Sequence, residues 1–165
     1  MSTEVTQNRV IQVAVLTVSD TRTLETDKGG NRVIEIAEAG GFKVATRAIV
    51  KDDMDAITEQ VESWIADSSI DVVITTGGTG IAKRDVTIEA VESLLDKEIP
   101  GFGEIFRYLS YVDDIGVRAI ASRAVAGVAR DTLIFALPGS VGAVTLGMER
   151  LIVPQIPHLV HEITK

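Results

Sequence analysis

The sequence predicts an α/β protein of three layers (αβα), in which helices cover both faces of a mostly parallel central sheet. Three observations lead to this fold class. Apolar runs rich in β-branched residues recur along the chain, apolar residues at helical spacing separate the first three runs, and polar or glycine-rich turns follow them. Strands and helices that alternate in this way form βαβ units with parallel strands and right-handed connections.

Each element of the first half follows from its residue pattern. Strands are predicted where Val, Ile and Thr cluster, since β-branched side chains favour an extended backbone. Helices are predicted where apolar residues recur every three or four positions, as at Ile57, Val61, Trp64 and Ile65. The predicted elements are a strand at 10–18, a helix at 29–41, a strand at 42–50, a helix that begins at Asp52 or Asp53, and a strand at 71–76.

The second half is less regular, because Pro and Gly interrupt its patterns. Pro100-Gly101 separates two predicted helices, and Ala129-Arg130-Asp131 is a tight connection between two predicted strands. A kink is expected near Pro154 in the last helix. The predicted elements are helices at 86–95 and 102–111, strands at 121–128 and 132–137, and a final helix after Pro138-Gly139-Ser140.

The 165 residues are predicted to form a single domain, 1–165, with a flexible N-terminal segment at 1–9. A chain of about this length buries roughly 68–70% of its unfolded surface, which suffices for a core without disulfides. The sequence has no Cys, which excludes disulfides, thiolate metal sites and cysteine nucleophiles.

The chain is acidic, with 16 Lys and Arg against 24 Asp and Glu and a net charge of −8 at pH 7. Nucleic acid is excluded as an expected partner, because its binding needs a basic surface. The start of the chain lacks the basic and apolar regions of a signal peptide, and no apolar run reaches the roughly 18 residues of a membrane span. We therefore expect a cytoplasmic protein that does not bind membranes.

Ligands of open parallel sheets bind outside the carboxyl ends of the strands, so the turns at those ends are the candidate sites. Two of these turns are rich in glycine, and free backbone amides in such loops can cradle a phosphate. The candidate turns are Ser19-Asp20, Asp52-Asp53, the loop from Thr76 to Gly80, and Pro138-Gly139-Ser140.

The segment TTGGTG, residues 75–80, is the sharpest of these signals. Its glycines let the backbone approach a ligand closely, and Thr76 and Thr79 add hydroxyl groups. A tight turn that binds nothing is the alternative interpretation. The segment matches neither the P-loop pattern nor the dinucleotide fingerprint GxGxxG.

Two acidic residues stand next to these turns, and each has two interpretations. Asp85 follows the glycine loop and can cap the next helix, or it can hold Mg²⁺ together with a substrate phosphate. Asp52 can likewise be a helix cap or a functional acid. His158 and His161 lack a third ligand and are interpreted as solvated, whereas Trp64 is interpreted as a core or interface residue.

Four motifs in a fixed order, TTGGTG, RDVT.EA, PGFGEIFR and LPGS, resemble the MoaB/Mog family of molybdenum cofactor biosynthesis proteins. The similarity runs from residue 13 to Pro154, and residues 101–107 look most like the MoaB branch. It implies a molybdopterin-binding fold. It also implies transfer of AMP from Mg-ATP to the phosphate of molybdopterin, and assembly as trimers or as hexamers built from two trimers.

The resemblance places the catalytic acids at Asp52 and Asp85, with Asp85 also a candidate Mg²⁺ ligand. No tightly bound, protein-ligated metal is expected. The residues expected to contact molybdopterin or ATP are Ser19, Asp20, Thr76, Gly77, Gly78, Thr79, Gly80, Arg84, Thr87, Glu89, Ser122, Arg123, Pro138, Gly139 and Ser140.

Three positions near these residues depart from the family pattern. Lys83 and Ile88 stand where many relatives have proline, and Val141 follows LPGS without the proline of some relatives. These departures motivate an alternative in which the protein binds and carries molybdopterin without transferring AMP. A second alternative, a binder of sugar or nucleotide phosphates that shares only the fold, does not explain the ordered motifs.

Overall fold

The computed structural model describes residues 9–165, which form one six-stranded sheet. The strand order across the sheet is β2-β1-β3-β6-β5-β4. The strands are β1 (Gln12–Val18), β2 (Lys43–Val50), β3 (Val72–Thr76), β4 (Lys97–Glu98), β5 (Val125–Ala129) and β6 (Thr132–Leu137).

The sheet is mostly parallel, as predicted. β2, β1, β3 and β6 pair in parallel, whereas β5 runs antiparallel to both of its neighbours. Because β5 is reversed, Val125 at its start pairs with Ala136 near the end of β6. The turns after β1, β2, β3 and β6 therefore lie along one edge of the sheet, and the segment that enters β5 reaches the same edge.

Helices cover both faces of the sheet and complete the three predicted layers. The α-helices are α1 (Lys28–Ala39), α2 (Met54–Ile65), α3 (Thr87–Leu94), α4 (Pro100–Ser110), α5 (Val141–Gly147) and α6 (Val153–Ile163). One core cluster includes Val33 of α1, Phe106 of α4 and Ile156 of α6. The other includes Trp64 of α2 and Val91 of α3, so Trp64 is a core residue.

Several boundaries differ from the sequence prediction. Residues Gly116–Ala121 form a 3-10 helix after a π-helical turn, so β5 begins four positions later than predicted. The short edge strand β4 was not predicted, because Lys97 and Glu98 are both charged and exposed. At the expected kink, a π-helical turn (Met148–Ile152) precedes Pro154, which lies in the first turn of α6, where a missing N–H costs little.

The predicted flexible segment at 1–9 lies outside the described residues except for Arg9, whose guanidinium pairs with the carboxylate of Asp71. Among residues 9–165, no helix has the length and apolar character that a membrane span requires. The cytoplasmic location stays a prediction.

Candidate functional site

The four candidate turns meet at the carboxyl edge of the sheet. The backbone amide of Ser19, after β1, donates to the carbonyl of Val50 at the end of β2 over 2.9 Å. The amide of Gly77, after β3, donates to the carbonyl of Leu137 at the end of β6 over 3.0 Å. The sheet ladder thus continues into the turns and fixes their positions relative to one another.

Close backbone packing at this edge explains why glycine is needed there. Gly77 has φ +95°, and a Cβ atom at this position would lie 2.4 Å from the carbonyl oxygen of Val18. A Cβ atom on Gly139 would lie 3.2 Å from the Cα of Gly77. The glycine loop and the Pro-Gly-Ser turn are therefore in direct backbone contact, which a larger residue at either position would disturb.

The glycine loop presents unpaired backbone donors. Within residues 9–165, the amides of Gly78, Thr79, Gly80 and Ile81 have no acceptor in the protein. Gly78 has φ +69° next to Gly77 in the same left-handed region. Successive amides in such a turn form a concave nest for an anion, so the loop can bind a phosphate group.

Three carboxylates surround this loop. The backbone amide of Asp52 donates to Oδ1 of Asp20 over 3.0 Å. The pKa of Asp52 is raised above its ordinary value, first because burial disfavours the charged form and then because Asp20 and Asp85 add negative charge nearby. Arg84 opposes this shift. The site thus holds excess negative charge that a cation could neutralise.

Asp52 and Asp53 have different roles in the structure. Asp53 is the N-cap of α2, and its Oδ2 accepts a hydrogen bond from the amide of Ala56 over 2.8 Å. Asp52 does not cap the helix, and its side chain approaches the glycine loop, since a Cβ atom on Gly78 would lie 3.0 Å from its Oδ1. The capping interpretation therefore applies to Asp53 and not to Asp52.

Asp85 does not cap the next helix either. The N-cap of α3 is Val86, which makes no side-chain cap hydrogen bond. Oδ2 of Asp85 instead accepts from the amide of Ala82 over 3.1 Å and lies 2.6 Å from where a Cβ atom of Gly80 would stand. The carboxylate thus folds back against the glycine loop.

Thr87 lies under the loop with an unsatisfied hydroxyl. Its side chain is fully buried, and its Oγ1 has no hydrogen-bond partner among the described residues. A Cβ atom on Gly78 would lie 2.2 Å from this oxygen. Buried hydroxyl groups normally find a partner, and within the described part of the chain this one does not. Ligand contact by Thr87 stays a prediction.

Arg123 and Glu89 are joined in a network behind the loop. Nη1 of Arg123 donates to Oε2 of Glu89 over 2.6 Å, and its Nε donates to the carbonyl of Thr79 over 3.0 Å. The hydrogen bond from Arg123 holds the pKa of Glu89 below its ordinary value. Both residues were expected to contact ligands; the structure shows them bonded to each other, and Arg123 is also bonded to the loop.

Two clefts open on this edge and share Gly77 and Gly139. The larger, of about 560 Å³, is lined by the glycine loop, Asp85 and Ser122. The smaller, of about 290 Å³, is lined by Ser19, Thr76, Ser140 and their neighbours. Most of the expected ligand-binding residues thus line one of two adjoining spaces.

Sequence reasoning missed Asp27 and Arg118. Asp27 lines the smaller cleft and is only 2% exposed. Its carboxylate accepts hydrogen bonds from Oγ1 of Thr17 over 2.6 Å and from Nη2 of Arg47 over 2.9 Å. The sequence did offer a signal for Asp27, because an acidic residue directly before the start of a helix is a preferred N-cap residue. Arg118 lines the larger cleft from the 3-10 helix, which no sequence pattern predicted.

No group of three or more His, Cys, Asp or Glu side chains within residues 9–165 is arranged to hold a metal ion. His158 and His161 lie on α6, and neither is among the residues that line the two clefts. A metal at the carboxyl edge would therefore be shared between one or two carboxylates and its substrate, as Mg²⁺ commonly is.

A family model described as a probable molybdopterin binding domain matches residues 14–158, which include all four turns. The chain belongs to this family. The matched residues include all six strands of the sheet, apart from the first two residues of β1.

Relatives agree with this family. Molybdenum cofactor biosynthesis protein B of Staphylococcus carnosus (strain TM300) is 61% identical over 160 residues, which are 96% of this chain and 94% of that protein. The protein of the same name from Staphylococcus aureus (strain MRSA252) is 59% identical over 160 residues, 96% of this chain and 95% of its own.

Solved structures agree as well. A crystal structure of a molybdenum cofactor biosynthesis protein B superposes with a TM-score of 0.92 at 49% identity, covering 94% of this chain and 97% of that chain. The tungsten cofactor synthesizing protein MoaB from Pyrococcus furiosus superposes with a TM-score of 0.81 at 36% identity, covering 95% and 99% of the two chains. The chain is therefore a molybdenum cofactor biosynthesis protein of the MoaB/Mog family, and its predicted fold class is confirmed.

Proposed function

We propose that this protein binds molybdopterin and transfers AMP from Mg-ATP to the phosphate of molybdopterin. The observation that carries the proposal is the anion nest of unpaired amides at Gly78, Thr79 and Gly80, with the carboxylates of Asp52 and Asp85 beside it. Both substrates carry phosphate groups, which such a nest can bind.

The reaction needs no nucleophile from the protein. A phosphate oxygen of molybdopterin forms a bond to the α-phosphorus of ATP, and the bond from that phosphorus to the bridging oxygen breaks. Pyrophosphate leaves with the electron pair, and adenylyl-molybdopterin is the other product. Reactions of this kind depend on positioning and on neutralisation of the charge on phosphate oxygens, which backbone amides and cations supply.

The donor set suits Mg²⁺, which prefers hard oxygen ligands and keeps several waters. Asp52 and Asp85 would hold the ion; the pKa of Asp52 is raised first by burial and then by the nearby charges of Asp20 and Asp85, which a bound cation would offset. The bound ion would neutralise charge on the reacting phosphates. Arg84 adds a cation from the protein on the same side.

A carrier that binds molybdopterin without turnover is the second candidate. Lys83, Ile88 and Val141 depart from the family pattern, and all three lie in or beside the loops of the site. Ile88 is buried in α3, so its effect would act through the position of the glycine loop.

We also propose that the protein assembles as a trimer or as a hexamer of two trimers. The segment from α4 to the 3-10 helix exposes many large apolar side chains, which a single chain cannot cover. These are Ile105, Tyr108, Tyr111, Val112, Val117 and Ile120, with exposed fractions of 51, 64, 54, 53, 69 and 88%. Sedimentation equilibrium at micromolar concentration should give three or six times 17.7 kDa; a monomer alone would contradict the proposal.

The experiment that tests the activity is incubation with molybdopterin and Mg-ATP, followed by mass spectrometry for adenylyl-molybdopterin. Asp52→Asn and Asp85→Asn should lose most of the product while still binding molybdopterin. Asp53→Asn is the matched control, because it removes one charge next to Asp52 and keeps an oxygen that can cap α2. Binding without product in the natural protein would establish the carrier instead.

A further inference from the structure

We propose that Arg123 is a positioning residue that holds the glycine loop in the shape that turns its amides toward the ligand cleft. This inference rests on the proposed function, since it assumes that those amides bind a phosphate. It gives Arg123 a role through the loop, where the resemblance implied direct contact with a ligand.

The guanidinium of Arg123 binds three carbonyl oxygens of one loop. Its Nε donates to Thr79 over 3.0 Å, and its Nη2 donates to Gly80 over 2.7 Å and to Asp85 over 3.3 Å. These contacts span both ends of the segment between the glycines and α3. One side chain therefore fixes the orientation of several peptide units at once.

The orientation of each carbonyl determines the orientation of an amide. In a planar trans peptide the C=O and the following N–H point in opposite directions. When Arg123 binds the carbonyls of Thr79 and Gly80, the amides of Gly80 and Ile81 must point away from it. Those two amides are among the unpaired donors of the loop. Without the guanidinium, their shared direction would not be fixed.

Glu89 anchors the guanidinium from α3. Its two carboxylate oxygens accept from Nη1 and Nη2 over 2.6 and 3.1 Å. This is the paired geometry that Arg and a carboxylate form readily and that Lys cannot reproduce. The loop is thereby tied both to α3 and to the segment that enters β5.

The same contacts leave Arg123 little capacity to bind a ligand. Its Nε, Nη1 and Nη2 all donate to protein acceptors, and its side chain is 31% exposed. Arg118 lines the same cleft from the 3-10 helix, and its side chain is exposed. A direct role in charge neutralisation therefore suits Arg118 and Arg84 better than Arg123.

The test compares Arg123→Ala, Arg123→Lys and Glu89→Gln with the natural protein, using two readouts. Hydrogen exchange of the bonded amides of Ala82, Asp85 and Thr87 measures the order of the loop, and titration with molybdopterin measures binding. Arg150→Ala is the matched control, since Arg150 makes a surface ion pair with Asp113 instead. We expect exchange at these three amides to rise at least tenfold and binding to weaken at least tenfold in both Arg123 variants, with a smaller change in Glu89→Gln.

Added methylguanidinium should restore slow exchange and binding in Arg123→Ala, as expected for a lost guanidinium. Weakened binding with unchanged loop exchange would show that Arg123 contacts the ligand directly, and this would overturn the proposal. Natural-like behaviour of Arg123→Lys in both readouts would overturn it as well. If the natural protein binds no molybdopterin, the proposed function fails, while the exchange measurement still decides whether Arg123 holds the loop. Glu89→Gln supplies that measurement if Arg123→Ala does not fold.

Discussion

The hydroxyl of Thr76 donates a hydrogen bond to the carbonyl of Pro138 over 3.0 Å. Thr76 is the last residue of β3, and Pro138 directly follows β6, so the bond joins the two glycine-containing turns of the site. Thr76 is buried, with 1% exposure, and water cannot easily replace this donor. The two turns therefore behave as one unit.

Thr76→Val should destabilise the protein by about 1 kcal/mol, the usual net contribution of one such hydrogen bond. The substitution keeps the shape of the side chain and removes only the donor. Urea unfolding measures the change. Thr76→Ser keeps the hydroxyl and is the control for this bond; equal stability of Thr76→Val and the natural protein would show that the bond contributes nothing.

Gly78→Ala should destabilise the protein by about 2 kcal/mol or more, because a side chain at positive φ is strained and the new Cβ would meet Thr87 Oγ1. Adding Thr87→Ala should recover part of the loss, which a double-mutant cycle measures. Gly101→Ala is the control, since nothing lies within 4 Å of its Cβ position in α4. Simple additivity in the cycle would argue against the contact with Thr87.

Asp52→Asn should stabilise the metal-free protein at neutral pH. The folded-state pKa of Asp52 is raised above its ordinary value of 3.8, so the ionised carboxylate opposes folding. As the pH rises, the carboxyl group loses its proton in the unfolded chain before it does so in the folded protein. The stability gained by Asp52→Asn is therefore complete above the folded-state pKa and vanishes below about 3.8. Urea unfolding of both proteins between pH 3 and pH 7, roughly the window of the shift, measures it.

We expect Asp52→Asn to lose activity, because substitutions that remove a charge from a functional site often raise stability and lower function. Asp53→Asn is the control, because Asn at this position keeps an oxygen that can cap α2. A stability difference between Asp52→Asn and the natural protein that does not change with pH would contradict the assigned cause.

Asp27→Ala should cost about 3 kcal/mol, from the lost cap of α1 and the lost hydrogen bonds of a buried carboxylate. The substitution leaves Arg47 without its carboxylate and removes the N-cap of α1. Asp27→Asn, which keeps a capping oxygen, should lose less. Thermal unfolding ranks the three proteins; a loss below about 1 kcal/mol for Ala would show that solvent replaces the pair.

The first two helices and every strand except β4 were predictable, because burial selects β-branched runs and apolar helical spacing, as in β3 and α2. The prediction of β6 at 132–137 has the exact bounds found in the structure. The 3-10 helix and the π-helical turn before it were not predictable, because their apolar residues are largely exposed, as Ile120 is at 88%. Local pattern carries little information where packing against the core does not select the residues.

The candidate site was predictable in its turns and less so in its side chains. The choice between Asp52 and Asp53 needed coordinates, since either residue can cap a helix and only the path of the backbone assigns the role. The partners of Arg123 lie 34 to 44 residues away in sequence, and no local pattern indicates pairings at such separations. The sequence does locate the edge of the sheet where these groups meet.

The reversed direction of β5 has a consequence for which parts of the chain can serve the site. In a sheet with every strand parallel, a residue that precedes a five-residue strand would stand about 17 Å from the carboxyl edge. Because β5 runs the other way, Ser122 and Arg123 arrive at that edge before the strand begins. The antiparallel pair of β5 and β6 thus adds a fifth segment to the carboxyl edge, beside the turns that follow the four parallel strands. A change in the length of the segment between α4 and β5 would therefore act on the site directly.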